Sequence, residues 1–196
     1  MAIFLQDHPF LPSPREGGLQ LDRLSLCLLF LMIILLSCAP AAFYNKDAET
    51  VIIEKVPFFP QEKYQCGPAS LAGVLNFWGQ KISPEDIAQE IFSPTAKGTL
   101  NWDLLFYAQK RGLQAQQYRG SLEDLKKNIS AGIPLILQVD YGFLIYEQNH
   151  FLVAIGYNSQ GIIVNSGIEK GKFIPNSSFL RIWAKANYWT LRITPP

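Results

Sequence analysis

Between Pro68 and Trp78 the apolar residues Leu71, Val74, Leu75 and Trp78 fall at the i, i+3, i+4, i+7 spacing of one buried helix face. Pro68 suits the first turn, where a missing N–H is harmless, and Gly79 suits the C-terminal cap. Ser83-Pro84-Glu85-Asp86 opens a second helix running to about Phe92, with a hydroxyl cap, proline at the first position and acids that complement the helix dipole. A third helix is predicted from Asn101 to Arg111, closed by Gly112, and a fourth opens at Ser121-Leu122-Glu123-Asp124 and ends before Gly132. Ahead of all four, VIIEKVPFF from Val51 to Phe59 is rich in β-formers and predicts an edge strand, since Pro57 cannot donate to a ladder.

After Gly132 the pattern changes. LILQVDY, FLVAIGY, GIIVNS and YWTLRI are short β-branched or aromatic runs separated by turn residues. FLVAIGY and GIIVNS, joined by Asn158-Ser159-Gln160-Gly161, predict a hairpin. A helical first half packed on an antiparallel sheet from the second half gives an α+β fold. With 196 residues the chain is long enough for one such domain with its own core.

The N-terminal part follows neither pattern. LSLCLLFLMIILL, from Leu24 to Leu36, is an apolar run of thirteen residues preceded by Arg23 and followed by Ser37, Cys38 and Ala39. A helix needs roughly 20 residues to cross a hydrocarbon core, so this length suits the apolar region of a secretory signal peptide. Its end, Leu35-Leu36-Ser37-Cys38, resembles the bacterial lipoprotein signal, which implies cleavage before Cys38 and lipidation of that thiol. The expected organisation is a signal region over 1–38, a tether over 39–50 and one folded domain over 51–196. The protein is then expected to be exported and anchored on a membrane surface of the bacterial envelope.

Charge narrows the partners. Lys+Arg total 17 against Asp+Glu 16, and no basic run interleaves with aromatics, which argues against nucleic acid as a partner. The His, Cys, Asp and Glu residues do not cluster at metal-ligand spacing, so no cofactor or metal is expected. Electrostatics give no preference for substrate sign, and a monomer is expected.

The three cysteines are Cys27, Cys38 and Cys66. If Cys27 leaves with the signal region and Cys38 carries lipid, Cys66 is the one free thiol of the mature chain, without a disulfide partner. It stands just ahead of a helix start, where the N-terminal dipole favours a thiolate, the nucleophilic form. The only histidine outside the signal region is His150, at the entrance to FLVAIGY. A Cys–His pair wants a third group that accepts the other ring N–H. Asn165 and Ser166 lie 15 and 16 positions beyond His150 on the hairpin partner, and alternation puts them on opposite faces, so only one can serve. The carbonyl oxygen of Asn165 is the better acceptor and the expected third residue. Gln61, five residues before Cys66, could place its NH₂ beside the Cys66 backbone N–H as a donor to a developing oxyanion.

These residues resemble a known group. QEKYQCGPASLAGVLNFWG is similar to the nucleophile segment of C39-type peptidases, which are papain-like cysteine peptidases, and HFLVAIGY is similar to their histidine strand. FLRIWAKANYWTLRI, with Phe179, Trp183 and Trp189, resembles their closing segment. The combination with a lipoprotein signal most resembles the bacterial lipoproteins called PA2778 family cysteine peptidases. The resemblance covers about residues 51 to 194 and implies a papain-like fold, a peptide or protein substrate, Cys66 as nucleophile, His150 as general base and acid, and Gln61 as oxyanion donor. It also implies an aspartate as third residue, and an ungapped count from the histidine puts that position at Ser166, with Asn165 next to it.

The expected function is therefore cleavage of a peptide bond through a Cys–His thiolate mechanism on a membrane-anchored lipoprotein. Two other readings use the same residues. One is a papain-like acyl transferase such as a cell-wall amidase; the other is a domain that kept the fold and lost the reaction, and serves as a membrane-tethered peptide-binding or scaffold protein.

Overall fold

The computed structural model describes residues 49–61 and 65–196. The signal region, its lipidation residue Cys38 and nearly all of the expected tether lie outside the described residues.

The element order is β1 (Val51–Ile52), α1 (Cys66–Phe77), α2 (Pro84–Ile91), α3 (Asn101–Lys110), β2 (Gln114–Arg119), α4 (Leu122–Ser130), β3 (Leu135–Asp140), β4 (Asn149–Tyr157), β5 (Gly161–Ser166), β6 (Glu169–Pro175), α5 (Asn176–Lys185) and β7 (Trp189–Thr194). The strands form one antiparallel sheet in the order β2-β7-β3-β4-β5-β6, with β1 paired to the end of β4 through Val51–Tyr157 and Ile52–Gly156. This is the expected α+β arrangement. No helix among the described residues is long and apolar enough to cross a membrane.

The four predicted helices form, and α2 and α4 start at serine caps. Ser83 accepts from the Asp86 backbone N–H at 3.1 Å while the Asp86 carboxylate accepts from the Ser83 N–H, a reciprocal pair that satisfies two otherwise orphaned donors. Ser121 caps α4 by accepting from the Asp124 backbone N–H at 3.1 Å. Helix α1 is buried from Gly67 through Leu75 and lies against β4, with α2 and α3 packed on it. Full burial of each of Leu71, Val74 and Leu75 contributes about 1.5–3 kcal/mol, which outweighs the missing side-chain cap at Gln65.

Four elements differ from the sequence expectation. The strand expected over 51–59 is only Val51–Ile52. Downstream of it the chain crosses α1 so closely that a Cβ on Gly73 would lie 2.8 Å from the Pro57 carbonyl oxygen, and a chain in that position has no sheet edge to join. Strands β2 and β6, QAQQYR and EKGKFIP, are too polar to show as buried runs and form by pairing with β7 and β5. Helix α5 sits in the predicted closing segment, where Phe179 and Trp183, one turn apart, are both fully buried.

Candidate active site

Helix α1 begins at Cys66 with no side-chain cap and no acidic residue in its first turn, so its positive end is left open beside the sulfur. The approach is tight: a Cβ on Gly67 would sit 2.8 Å from the Thr99 Cβ, so the 96–100 loop closes against the helix start. Facing it, β4 brings His150 and Phe151. The backbone N–H groups of Phe151, Gly67 and Cys66 itself act to favour the thiolate of Cys66. Cys66, His150 and Gln61 line one cavity of about 620 Å³, with Thr99, Asn101 and Gln138 in its walls.

His150 Nε2 lies 3.0 Å from the Ser166 hydroxyl oxygen, which leaves Nδ1 as the ring nitrogen available to the thiol. The Tyr141 ring packs on the imidazole at 5.7 Å between centroids. Asn165 is not the partner expected from its chemistry. Its Oδ1 accepts from the Gly171 N–H at 3.0 Å and shapes the β5–β6 turn. Register gives the reason: Val153 pairs with Asn165, so continuing one step puts Ser166 opposite Leu152, on the face that His150 shares. The structure therefore brings Ser166, and not Asn165, to the His150 ring.

Gln61 is held at the cavity by its backbone N–H, which donates to the Gly167 carbonyl at 3.0 Å. Its Oε1 is buried without a hydrogen-bond partner, a cost that packing alone does not explain.

Electrostatically the pair rests neutral. Burial pushes the Cys66 thiol above its ordinary value, and the three backbone donors only partly offset that. Burial also pushes His150 down, to about 4, with the charge of Lys172 on β6 acting in the same direction. Both shifts disfavour the expected resting thiolate in the free protein and favour a neutral imidazole in the cavity that Cys66 also lines.

The model of the Peptidase_C39 like family matches residues 53–190, which include both sides of this cavity. The chain belongs to that family. Its members are cysteine peptidases, and family and fold together support a peptidase-type function. The fold is shared with a Bacillus anthracis protein solved as a candidate C39-like peptidase (TM-score 0.66, 19% identity, 76% of this chain and 98% of that one). It is shared also with the peptidase domain of Streptococcus ComA, a bifunctional ABC transporter of a quorum-sensing pathway (TM-score 0.61, 20% identity, 72% and 99%). A double glycine motif protease from an AMS/PCAT transporter, solved with its leader peptide, is 28% identical over 72% of this chain and 93% of that one, with a TM-score of 0.60.

Two uncharacterised archaeal proteins are similar in sequence. One, from Methanothermobacter thermautotrophicus, is 33% identical over 40% of this chain, and the match spans 55% of the length of that relative. The other, from Methanothermobacter marburgensis, is 30% identical over 59% of this chain and 74% of its own length.

Sequence reading did not find three contributors to the C39-like site. The Phe151 backbone donor carries no side-chain signature. Lys172 lies on a strand too polar to be recognised, and Thr99 lies in a loop without a motif.

Proposed function

We propose that the chain is a membrane-anchored cysteine peptidase in which Cys66 and His150 carry out the reaction and Ser166 orients the ring. The observation that carries this reading is that Cys66, at the start of α1, lines one cavity with His150 and Gln61, and that the Nε2 of that imidazole lies 3.0 Å from the Ser166 hydroxyl. The Cys66 sulfur attacks a peptide carbonyl carbon as its proton passes to His150. The resulting oxyanion meets the Cys66 backbone N–H and the Gln61 carboxamide. The C–N bond breaks as His150 returns that proton to the leaving amine, and a water activated by the same ring hydrolyses the thioester and restores the thiol.

Coupling proton transfer to attack suits a pair that rests neutral, because ionisation then occurs only where the charge is being stabilised. Cys38, as the lipidated residue, places this chemistry at a membrane surface, in line with the resemblance to lipoprotein members of the family. The direct test is Cys66→Ala, which is expected to abolish both peptide turnover and labelling by a thiol-reactive peptide probe. Unchanged turnover would refute the assignment.

One observation favours a second reading. A raised thiol, a depressed imidazole and a neutral third residue all disfavour the ion pair, as in a domain that binds peptides without cutting them. That reading expects saturable peptide binding, with no acyl-enzyme detectable by mass.

A further inference from the structure

The loop between β3 and β4, residues 141–148, ends two residues before His150, and nothing in the peptidase reading uses its tip. Phe143, Leu144, Ile145 and Tyr146 stand in succession with 75%, 87%, 87% and 77% of their surfaces exposed. Four consecutive large apolar side chains in water are unusual in a folded domain and mark an interaction surface. The backbone is committed to holding them out. Tyr146 N–H donates to the Phe143 carbonyl at 3.0 Å, and Leu144 adopts φ 55°, a conformation that favours glycine or asparagine. The turn accepts that strain with a leucine in place.

The base of the loop is pinned. Asp140 Oδ1 accepts from the Gly142 N–H at 2.6 Å and from the Gln148 N–H at 2.8 Å, and Lys185 donates to the Gly142 carbonyl at 2.5 Å. A Cβ on Gly142 would collide with the Tyr146 carbonyl oxygen, so the loop closes only around glycine. The tip therefore projects as a convex apolar knob. A second exposed apolar group, Leu100, Trp102 and Phe106, borders the neighbouring α3, which the Asn101–Gln138 hydrogen bond of 2.9 Å ties to β3.

We propose that this loop tip inserts into the interfacial layer of a lipid bilayer, so that the catalytic cleft works against the membrane that anchors the protein. A bilayer suits a convex tip of four residues without charge that ends in Tyr146, whose ring can sit at the interface with the exposed Glu147 behind it on the water side, whereas a protein partner would need a matching pocket. Chain length supports the same occupant. Strand β1 meets β4 at Gly156 and Tyr157, at the opposite end from the loop, and the intervening strand spans about 25 Å at roughly 3.3 Å per residue. The eleven residues from Cys38 to Glu49 can extend about 36 Å, so an anchor at Cys38 allows the loop end to face the bilayer. The inference rests on the anchoring part of the proposed function and not on its chemistry.

The test uses the full, processed chain on vesicles of phosphatidylethanolamine and phosphatidylglycerol. A photoreactive benzoylphenylalanine replaces Phe143 in one sample and Glu123, exposed on α4, in another. Lipid adducts several-fold more abundant at 143 than at 123 are expected, together with their loss when Leu144→Asp and Ile145→Asp are introduced. Turnover of a soluble peptide by that variant is expected to stay unchanged. Equal lipid adducts at the two positions, none at 143, or adducts there mainly to a second copy or to added peptide would overturn the proposal. Flotation of the same samples separates the two failures: a chain that does not float overturns the anchoring itself, and one that floats without a lipid adduct at 143 overturns the loop contact alone.

Discussion

On the helix side of the cleft, Cys66 is placed by backbone: it opens α1, and Gly67 lets the 96–100 loop come close. On the strand side, His150 is placed by side chains, with Ser166 on one ring nitrogen and Tyr141 against the ring face. A backbone-built wall tolerates changes in side-chain identity but not in local geometry. A side-chain-built wall depends on which residue the sheet register delivers. The two walls should therefore fail differently when perturbed.

The largest effect is expected on the helix side. Cys66→Ala removes the proposed nucleophile, and kcat against a cleaved peptide should fall by at least about 10³-fold. The sulfur is half-buried among apolar neighbours, so the smaller side chain is well accommodated and thermal stability should change little. A variant that lost stability along with activity would mean that the thiol is mainly a packing element, and the contrast between the two walls would disappear.

Next comes the pH dependence of stability, which belongs to the strand side. His150 ionises at about 4 in the folded chain, against an ordinary value of 6.5. Between these values the unfolded chain binds the extra proton, so stability is fully present above pH 6.5 and declines as pH falls toward 4. The loss contributed by this residue is about 3 kcal/mol. Urea titrations across that window should show the slope, and His150→Gln should flatten it. The same ionisation sets the acid limb of kcat/KM near pH 4, since a protonated ring cannot take the thiol proton.

The contrast between the walls also accounts for what could be read in the sequence. Helix starts are local: Ser83 with Asp86, and proline beside the Cys66 turn, announce themselves within four residues, and α1, α2 and α4 form where these signals stand. The sheet is not local. QAQQYR becomes β2 because β7 offers it a partner ladder, and EKGKFIP becomes β6 because β5 does; neither contains an apolar run to reveal it. The choice between the two candidate ring partners was hidden for the same reason. Asn165 and Ser166 are adjacent, and chemistry alone favours the amide, but the pairing of Val153 with Asn165 settles which of the two faces His150. That pairing depends on how the hairpin closes, with an irregularity between Ala154 and Gly156 that no short motif specifies.

The finest test compares those two neighbours. Ser166→Asp puts a carboxylate on His150 Nε2, where it favours the imidazolium and should raise the ring from about 4 by about 1–3 units. The acid limb of kcat/KM should move up by the same amount. Iodoacetamide labelling of Cys66 should gain a low-pH shoulder, because a more basic ring shares the thiol proton more readily. Asn165→Asp adds the same charge one residue away, on the opposite face of β5, where its oxygen meets the Gly171 N–H instead of the ring. It should leave both profiles almost unmoved and alter only the stability of the β5–β6 turn. If the two aspartates moved the acid limb equally, the field at the ring would depend on charge in the region and not on register, and the strand-side wall would have no specificity of its own.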